Sequence, residues 1–395
     1  MINIAVLGYG TVGSGVVEVL DTNRECISQR VGEEIRVKYV LDLRDFPGDP
    51  VQNILVHNFE EIIRDEDVKI VVEVMGGIEP AYTFVKRSLL AGKSVATSNK
   101  ALVAKHGAEL LSIAKEKQIN FLFEASVGGG IPIIRPLNSS MTADEIEEIT
   151  GILNGTTNYM LTKMFYEGAG YEEVLRQAQE NGYAEKNPEA DVEGYDACRK
   201  IAILSSLISG HQVDFEDIYT EGITEITERD MEYAKQMQMT IKLLASSRRS
   251  GECLSAIVAP CLLENTHPLF GVNGVFNAIF VHGNVLGDAM FYGSGAGKLP
   301  TASAVVADVV EEAKNLNRNV MTMWKSDKLK LQDKGDTIRR FFVRITGNAE
   351  AMKTYIESIF GPVQIVMLPD VEEEFGFLTG RMTERAYEEC AAQFP

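Results

Sequence analysis

The apolar run from Ile2 to Leu7 leads directly into Gly8-Tyr9-Gly10-Thr11-Val12-Gly13, after which apolar residues return at Val16, Val17, Val19 and Leu20 with the spacing of one helix face. Strand, glycine triplet and helix in that order form the context a dinucleotide-binding turn requires. The first glycine permits the tight turn, the second lets the backbone approach a pyrophosphate, and the third lets helix and strand pack closely. The helix-start amides, those of Thr11 and Val12 among them, would face the phosphates. Further strands are predicted at 35–41, 70–75, 94–97 and 120–123, with helical spacing near 79–91 and 101–117. This alternation implies an α/β fold with a doubly wound (Rossmann) parallel sheet. Ligands of such sheets lie beyond the carboxyl ends of the strands, where the chain puts Met75-Gly76-Gly77, Ser98-Asn99-Lys100 and Glu124-Ala125-Ser126. Gly76, Ser98 and Lys100 are therefore candidate cofactor contacts. The second strand ends in Asp42-Leu43-Arg44-Asp45, which offers an acid for a ribose hydroxyl and, in Arg44, a partner for a 2′-phosphate, so NAD and NADP both stay open.

From about residue 136 the pattern changes. A strand ending in Gly151-Ile152-Leu153-Asn154-Gly155-Thr156-Thr157-Asn158 is succeeded by helices at about 156–166, 172–181 and 196–209, then by a long helix around 227–249. Strands around 253–264, 277–282 and 285–292 complete an α+β unit suited to substrate binding and dimerisation. A second glycine-rich turn, Gly293 to Ser303, opens a helix running to about Asn315. It reads either as a return to the cofactor, which makes Gly295 a candidate contact, or as a turn closing the last strand. The lysine- and aspartate-rich stretch 325–336 reads as a linker. Beyond it the spacing predicts a small βαββα tail: strand 341–346, helix 349–360, strands 363–368 and 374–379, helix 383–393. The expected domains are 1–135, 136–322 with its last helix (301–315) returning to the first domain, a linker at 323–337, and a tail at 338–395.

At 395 residues the chain exceeds the ~250–300 at which single cores stop growing, so two or three domains are expected. Lys and Arg number 38 against 57 Asp and Glu, a net charge of −19 that opposes phosphate backbones and anionic membrane surfaces. Neither nucleic acid nor a membrane is an expected partner. The five cysteines are scattered, without a Cys-x-x-Cys pair or zinc-spaced histidines, which fits a reducing cytoplasm. No basic region precedes the first apolar run, which reads as a strand rather than a secretory signal, and nowhere do about 18 uncharged apolar residues follow one another.

Gly182 to Lys200 concentrates acidic groups, loop formers and lysines in a segment that a structural loop would not require. Glycine and proline forbid regular structure in its middle, and 196–209 then takes on apolar helical spacing at Ile201, Leu204, Ser205 and Ile208. Asp196 and Lys200 are four apart and share a helix face, so a carboxylate and an ammonium would stand together beside Glu185 and Asp191. That suits an amino-acid substrate. The plain alternative is a solvated i,i+4 pair contributing only about 0.3–0.5 kcal/mol.

With these residues assembled, the chain resembles homoserine dehydrogenase over about residues 1–320, on the glycine fingerprint at 8–13, Ser98-Asn99-Lys100, Glu124 to Pro132, Asn154 to Asn158, and the 182–200 run. The resemblance implies reversible oxidation of L-homoserine to L-aspartate 4-semialdehyde with NAD or NADP, in the pathway to threonine and methionine, by a homodimer or homotetramer. It implies that Lys200 and Lys100 are the catalytic lysines and that Asp196 orients one of them or a water. It also implies that Glu185 and Asp191 hold the substrate ammonium while Gly155 and Thr156 frame the bound amino acid. Hydride loss leaves the hydroxyl needing to shed a proton, and a desolvated lysine near another cation can accept it. Cationic donors likewise stabilise the alkoxide of the reverse direction. Glu124 with Val127, Gly129 and Ile131 matches the family's monovalent-cation loop, where a carboxylate and several carbonyls would surround a sodium ion; the alternative is that Glu124 caps the glycine-rich turn. The tail resembles an ACT domain but has Thr346-Gly347-Asn348-Ala349 where that module reads Asp-x-Pro-Gly, and the sequence shows no final strand after the second helix, which argues against threonine as an effector.

Two other readings use the same first domain. A redox sensor would bind NAD(H) without turnover and would need no proton-transfer lysine. A different amino-acid dehydrogenase, such as one acting on aspartate, would differ in its substrate profile.

Overall fold

The computed structural model describes residues 1–251, 253–321, 324–369 and 371–394. The chain forms two compact units, the first from residues 1–149, 198–217 and 276–329, the second from 150–197, 218–275 and 330 onward. The boundary expected at 322/323 lies outside the described residues.

The first unit opens with β1 (Ile2–Leu7), α1 (Thr11–Thr22), α2 (Arg24–Val31), β2 (Ile35–Leu41), β3 (Leu55–Val56), α3 (Phe59–Arg64), β4 (Val68–Glu73), α4 (Ala81–Leu90), β5 (Ser94–Thr97), α5 (Lys100–Glu116) and β6 (Phe121–Leu122). Its six strands form one parallel sheet in the order β3-β2-β1-β4-β5-β6. Helices cover both faces, so the central strands read as continuous apolar runs: Ile4 to Leu7 and Ile70 to Val72 are wholly buried. The order reverses between β1 and β4, the crevice where such sheets bind ligands.

A helical turn at Pro136–Ser140 precedes β7 (Ile146–Ile152), which carries the chain out of the first unit. The second unit continues with α6 (Gly155–Glu167), α7 (Tyr171–Glu180), α8 (Glu189–Val192) and the start of α9 (Tyr195–Ser209). The four-residue α8 falls where glycine and proline predicted no regular structure. Pro188 sits immediately ahead of it, where a missing N–H costs nothing.

After β8 (His211–Gln212) and β9 (Tyr219–Thr220), the helix expected over 227–249 is instead α10 (Glu228–Gln236) followed by β10 (Met239–Ser250). The reason is local as well as tertiary. Gln238 takes φ 57°, which stops the helix, and β10 then pairs antiparallel along its full length with β11 (Cys253–Glu264), from Met239↔Glu264 to Ser250↔Cys253. Twelve residues of ladder outweigh the helical spacing of Ile241 and Leu244. At its other end α10 is closed by a reciprocal capping box between Thr227 and Asp230.

Back in the first unit, β12 (Phe276–Gly283) and β13 (Gly287–Ser294) form an antiparallel hairpin, and α11 (Lys298–Lys314) lies against α1. A Cβ on Gly15 would come within 2.9 Å of the Ala302 methyl and 3.0 Å of the Lys298 carbonyl, so this helix crossing requires a glycine. Lys298 also pairs with Glu18 at 2.6 Å. Trp324, the only tryptophan in the sequence, is 1% exposed. It fills the space beside Gly107 of α5, meets Phe123 edge to face at 5.9 Å, and donates its indole N–H to the Gln212 Oε1 at 2.8 Å. Immediately after it, β14 (Lys325–Lys328) pairs with β8 inside the stretch read as a linker.

The tail belongs to the second unit and, apart from two added two-residue strands, has the predicted βαββα order. β15 (Ile338–Arg339) leads to β16 (Phe342–Thr346), α12 (Ala349–Phe360), β17 (Gln364–Val366), β18 (Glu374–Leu378), β19 (Met382–Thr383) and α13 (Glu384–Ala391). The main sheet is antiparallel in the order β16-β18-β17. Phe375 and Phe377 pack on Ile356 and Phe360 of α12. On the opposite face Phe342 and Gly376 meet Tyr233 of α10, and Arg344 lies 3.6 Å from Asp230. Among the described residues no helix is long and apolar enough to cross a membrane.

Candidate active site

The fingerprint forms a turn that requires glycine at its first and third glycine positions. Gly8 has φ +96°, and a Cβ on Gly13 would collide with the Gly8 carbonyl oxygen while standing 3.3 Å from Val74. Gly10 is the N-cap of α1 and offers no side-chain cap, whereas space beside its Cα is open. The first-turn amides, those of Thr11 and Val12 included, are thus left for an anion. Asp42, immediately after β2, accepts the Tyr9 N–H at 2.8 Å and grips Arg44 through both carboxylate oxygens, each at 3.0 Å. The Arg44 guanidinium holds this carboxyl well below the usual range. Acid and arginine are therefore partners, with the guanidinium on the outside, 62% exposed.

Beyond β4 the Met75-Gly76-Gly77 loop takes left-handed φ at both glycines, +82° and +74°. Ser98 and Asn99 come directly after β5. Asn99 caps α5 by accepting the Leu102 N–H at 3.1 Å, which puts Lys100 at the first helical position, partly buried.

Glu124 is buried, and its carboxylate accepts the N–H groups of Ile133 at 2.5 Å, Ile134 at 2.8 Å and Arg135 at 2.7 Å. These bonds make the carboxylate the cap of the helical turn beyond Pro132 rather than of the glycine-rich turn itself. Val127 and Ile131 are buried, and Gly129 lies so close to the Gly295 carbonyl that no Cβ could be accommodated. Gly295 itself leaves no room for a Cβ beside Asn277. Backbone packing between the two glycine turns thus accounts for both glycines. Among the described residues no three His, Cys, Asp or Glu side chains are placed to hold a metal ion.

Behind this turn Asp308 accepts the Glu124 N–H at 2.8 Å and Arg135 Nη2 at 2.6 Å. Burial, reinforced by the Glu124 charge, pushes its carboxyl up to about 7. One turn further along α11, Glu312 is fully buried, and neither carboxylate oxygen has a hydrogen-bond partner among the described residues. Burial holds its pKa well above 4.5. A carboxyl with a raised folded-state pKa keeps in the native state a proton that the unfolded chain releases, so stability falls as pH rises from the unfolded to the folded value. Glu312→Gln removes that dependence. The variant should match the wild type near pH 4.5 and exceed its unfolding free energy by about 1–3 kcal/mol at pH 8. Urea denaturation at both pH values checks this, and a gap that does not widen with pH would contradict it.

In the second unit Asn154, which lies in the 154–158 motif but carries no role expected from the sequence, joins several of the candidate residues. It caps α6, its Oδ1 accepting the Thr157 N–H at 2.9 Å, while its Nδ2 donates to Asp191 at 2.7 Å and to Asp196 at 3.0 Å. One amide thereby gathers two of the expected acids. Thr156 donates its hydroxyl to the Tyr183 carbonyl at 2.6 Å, tying the start of α6, where Gly155 lies, to the acidic loop. Glu185 stands exposed on that loop, outside the Asn154 network. Lys242 of β10, 1% exposed, donates to Asn158 Oδ1 at 3.0 Å and the Val272 carbonyl at 2.6 Å, and burial draws its pKa down to about 8.

Asp196 and Lys200 lie one turn apart on α9 and are 5% and 8% exposed. That burial separates them from an ordinary solvated pair.

Three kinds of likeness bear on this arrangement. Residues 8–124 match the family description "Homoserine dehydrogenase, NAD binding domain", and residues 132–310 match "Homoserine dehydrogenase". The chain is 43% identical to the homoserine dehydrogenase of Bacillus subtilis over 323 residues, 81% of this chain and 74% of that one. The crystal structure of a homoserine dehydrogenase from Thiobacillus denitrificans superposes with a TM-score of 0.90 at 35% identity, covering 99% of this chain and 94% of that one. A hyperthermophilic archaeal homoserine dehydrogenase, solved in complex with NADPH, superposes with a TM-score of 0.67 at 29% identity over 79% of this chain and 97% of that one.

Proposed function

The chain belongs to the homoserine dehydrogenase family, NAD(P)-dependent oxidoreductases, and from that premise we propose how its residues divide the work of interconverting L-homoserine and L-aspartate 4-semialdehyde. A bound nicotinamide cofactor would supply the acceptor for the hydride of the carbinol carbon. Gly8, Gly10, Thr11, Val12 and Gly13 cradle its pyrophosphate, with Gly76 and Ser98 at the ends of neighbouring strands. Arg44 accepts a 2′-phosphate by exchanging the Asp42 carboxylate for it, a reading supported by the exposed guanidinium and by the NADPH complex of the archaeal relative. Asp191 and Glu185 receive the substrate ammonium, and Gly155 and Thr156 border the bound amino acid. Lys200 takes the hydroxyl proton as the hydride leaves and returns it in the reverse reaction, Lys100 adds positive charge where the alkoxide develops, and Asp196 orients one of the lysines or a water. Any monovalent cation at the 124–131 loop would rest on Glu124 and on main-chain oxygens of Val127, Gly129 and Ile131, and the proposed chemistry uses none.

The observation that carries this reading is the Asn154 amide, which holds Asp191 and Asp196 together beside the start of α6. Purified protein with L-homoserine at alkaline pH should generate reduced nicotinamide from NADP⁺ or NAD⁺, monitored by its absorbance. Reduction of neither, with both still bound, would replace this reading with the sensor. For the assembly we propose a homodimer or homotetramer. Its support is the outward face of the β12–β13 hairpin, where Phe276 and Tyr292 stack at 5.3 Å and Met290 and Tyr292 are 44% and 54% exposed. Sedimentation velocity giving a monomer would contradict it.

A further inference from the structure

We infer that Glu73 is a positioning residue, a buried carboxylate that holds the Met75–Gly77 loop and the start of α5 in a single arrangement. The inference rests on the reading above that this loop and Ser98 face the dinucleotide and that Lys100 serves the reacting hydroxyl.

Glu73 is the last residue of β4, paired with β1 at the reversal of strand order, and it is wholly buried. Val71 and Val72 before it are ordinary core residues, and a core needs nothing polar at that depth. The groups that meet its carboxylate are uncharged donors: the Thr97 hydroxyl at 2.6 Å and the Met75 N–H at 2.8 Å, with the Gly76 N–H and the Asn99 side chain also bearing on it.

Thr97 passes the constraint on. Its Oγ1 accepts the Asn99 N–H at 3.0 Å, Asn99 Nδ2 donates to the Gly77 carbonyl at 2.5 Å, and Asn99 Oδ1 caps α5 through the Leu102 N–H at 3.1 Å. The network therefore closes on both ends of the loop, Met75 and Gly77, and on the helix that begins at Lys100. The loop needs such an anchor. Two successive left-handed glycines have no side chains to pack, and an unanchored Gly-Gly segment would populate many conformations. Burying a carboxyl is costly, and burial pushes its pKa up; the return is a loop held still where the cofactor must lie.

The test uses the full-length enzyme with Glu73→Gln, Thr97→Val and Thr97→Ser. Glutamine can still accept the Met75 N–H but leaves the Thr97 hydroxyl proton without its acceptor, valine removes that hydroxyl at constant shape, and serine retains it. Fluorescence titration with reduced cofactor should give a Kd about tenfold higher for Glu73→Gln and Thr97→Val, equivalent to about 1.4 kcal/mol, and near the wild-type value for Thr97→Ser. At saturating cofactor, KM for homoserine should stay within about twofold of wild type, the split a general loss of packing would not produce. Cofactor Kd unchanged in folded Glu73→Gln and Thr97→Val, or homoserine KM rising in step with it, would overturn the inference. The Lys100 reading fails separately: Lys100→Met with undiminished kcat removes that role while leaving the effect of Glu73 on cofactor affinity intact.

Discussion

Lys200→Met is expected to lower kcat by about 10²–10⁴-fold, the usual contribution of a positioned proton-transfer group, while cofactor affinity changes little. The expectation comes from where the lysine stands. It is 8% exposed on α9, one turn after Asp196, whose carboxylate receives the Asn154 amide. An alcohol losing hydride becomes a protonated carbonyl unless its proton departs, so a base at that oxygen lowers the barrier directly. Methionine keeps the length and apolar stem of the lysine and removes only the titrating head. Lys200→Arg separates two roles that methionine merges. Arginine keeps the positive charge but cannot surrender its proton at working pH. A proton-transfer role predicts that arginine fails nearly as badly as methionine, whereas a purely electrostatic role predicts substantial recovery. Stopped-flow measurement of the hydride step, with cofactor Kd from fluorescence, decides between them. Turnover within tenfold of wild type in Lys200→Met would remove the lysine from the proposed chemistry.

Gly13→Ala should be the most damaging single methyl in the first unit. Its Cβ would occupy the position of the Gly8 carbonyl oxygen and press on Val74, so the turn must open or α1 must move away from β1. Overpacking of this kind costs about 1–3 kcal/mol of stability, and the displaced helix start takes its anion-binding amides with it. Gly10→Ala provides the contrast. Nothing lies within 4 Å of its would-be Cβ, so the fold should be unaffected and the added methyl should meet only the bound pyrophosphate. Cofactor affinity should fall about tenfold or more in both variants, with a lowered melting temperature only for Gly13→Ala. Wild-type cofactor affinity in Gly10→Ala would mean that the pyrophosphate does not pass over this glycine.

These two positions also mark how much is legible in the amino-acid sequence. The glycine turn can be read there because its chemistry is local: strand, three glycines and helix occupy consecutive residues, and backbone sterics fix the rest. The βαββα tail is legible for the same reason, each element carrying its own period and its own breaker. β10 reads from spacing as the continuation of α10, because Ile241 and Leu244 fit a helix face and only pairing with β11 makes the segment a strand. Asn154 shows a different limit. Its capping role is available from the Thr157 three residues on, but its grip on Asp191 and Asp196 joins positions 37 and 42 residues away, which no local pattern encodes. Glu73 gives no signal because the run from Ile70 to Met75 reads as a strand whether or not the glutamate within it is buried. At Glu124 the sequence leaves two roles open, a cation ligand and a cap on the glycine-rich turn, and the carboxylate meets three main-chain N–H groups beyond that turn, bonds that no local pattern encodes.

Trp324 gives the protein a built-in optical gauge. With one indole in the whole chain, lodged beside α5 and bonded to Gln212, intrinsic emission reports on the first unit alone and is silent about the second. Denaturation monitored by that emission and by far-ultraviolet dichroism would therefore separate if the two units melt at different points. Indole emission also overlaps the absorption of reduced nicotinamide, so energy transfer from this one donor would count bound cofactor molecules without a label and without turnover.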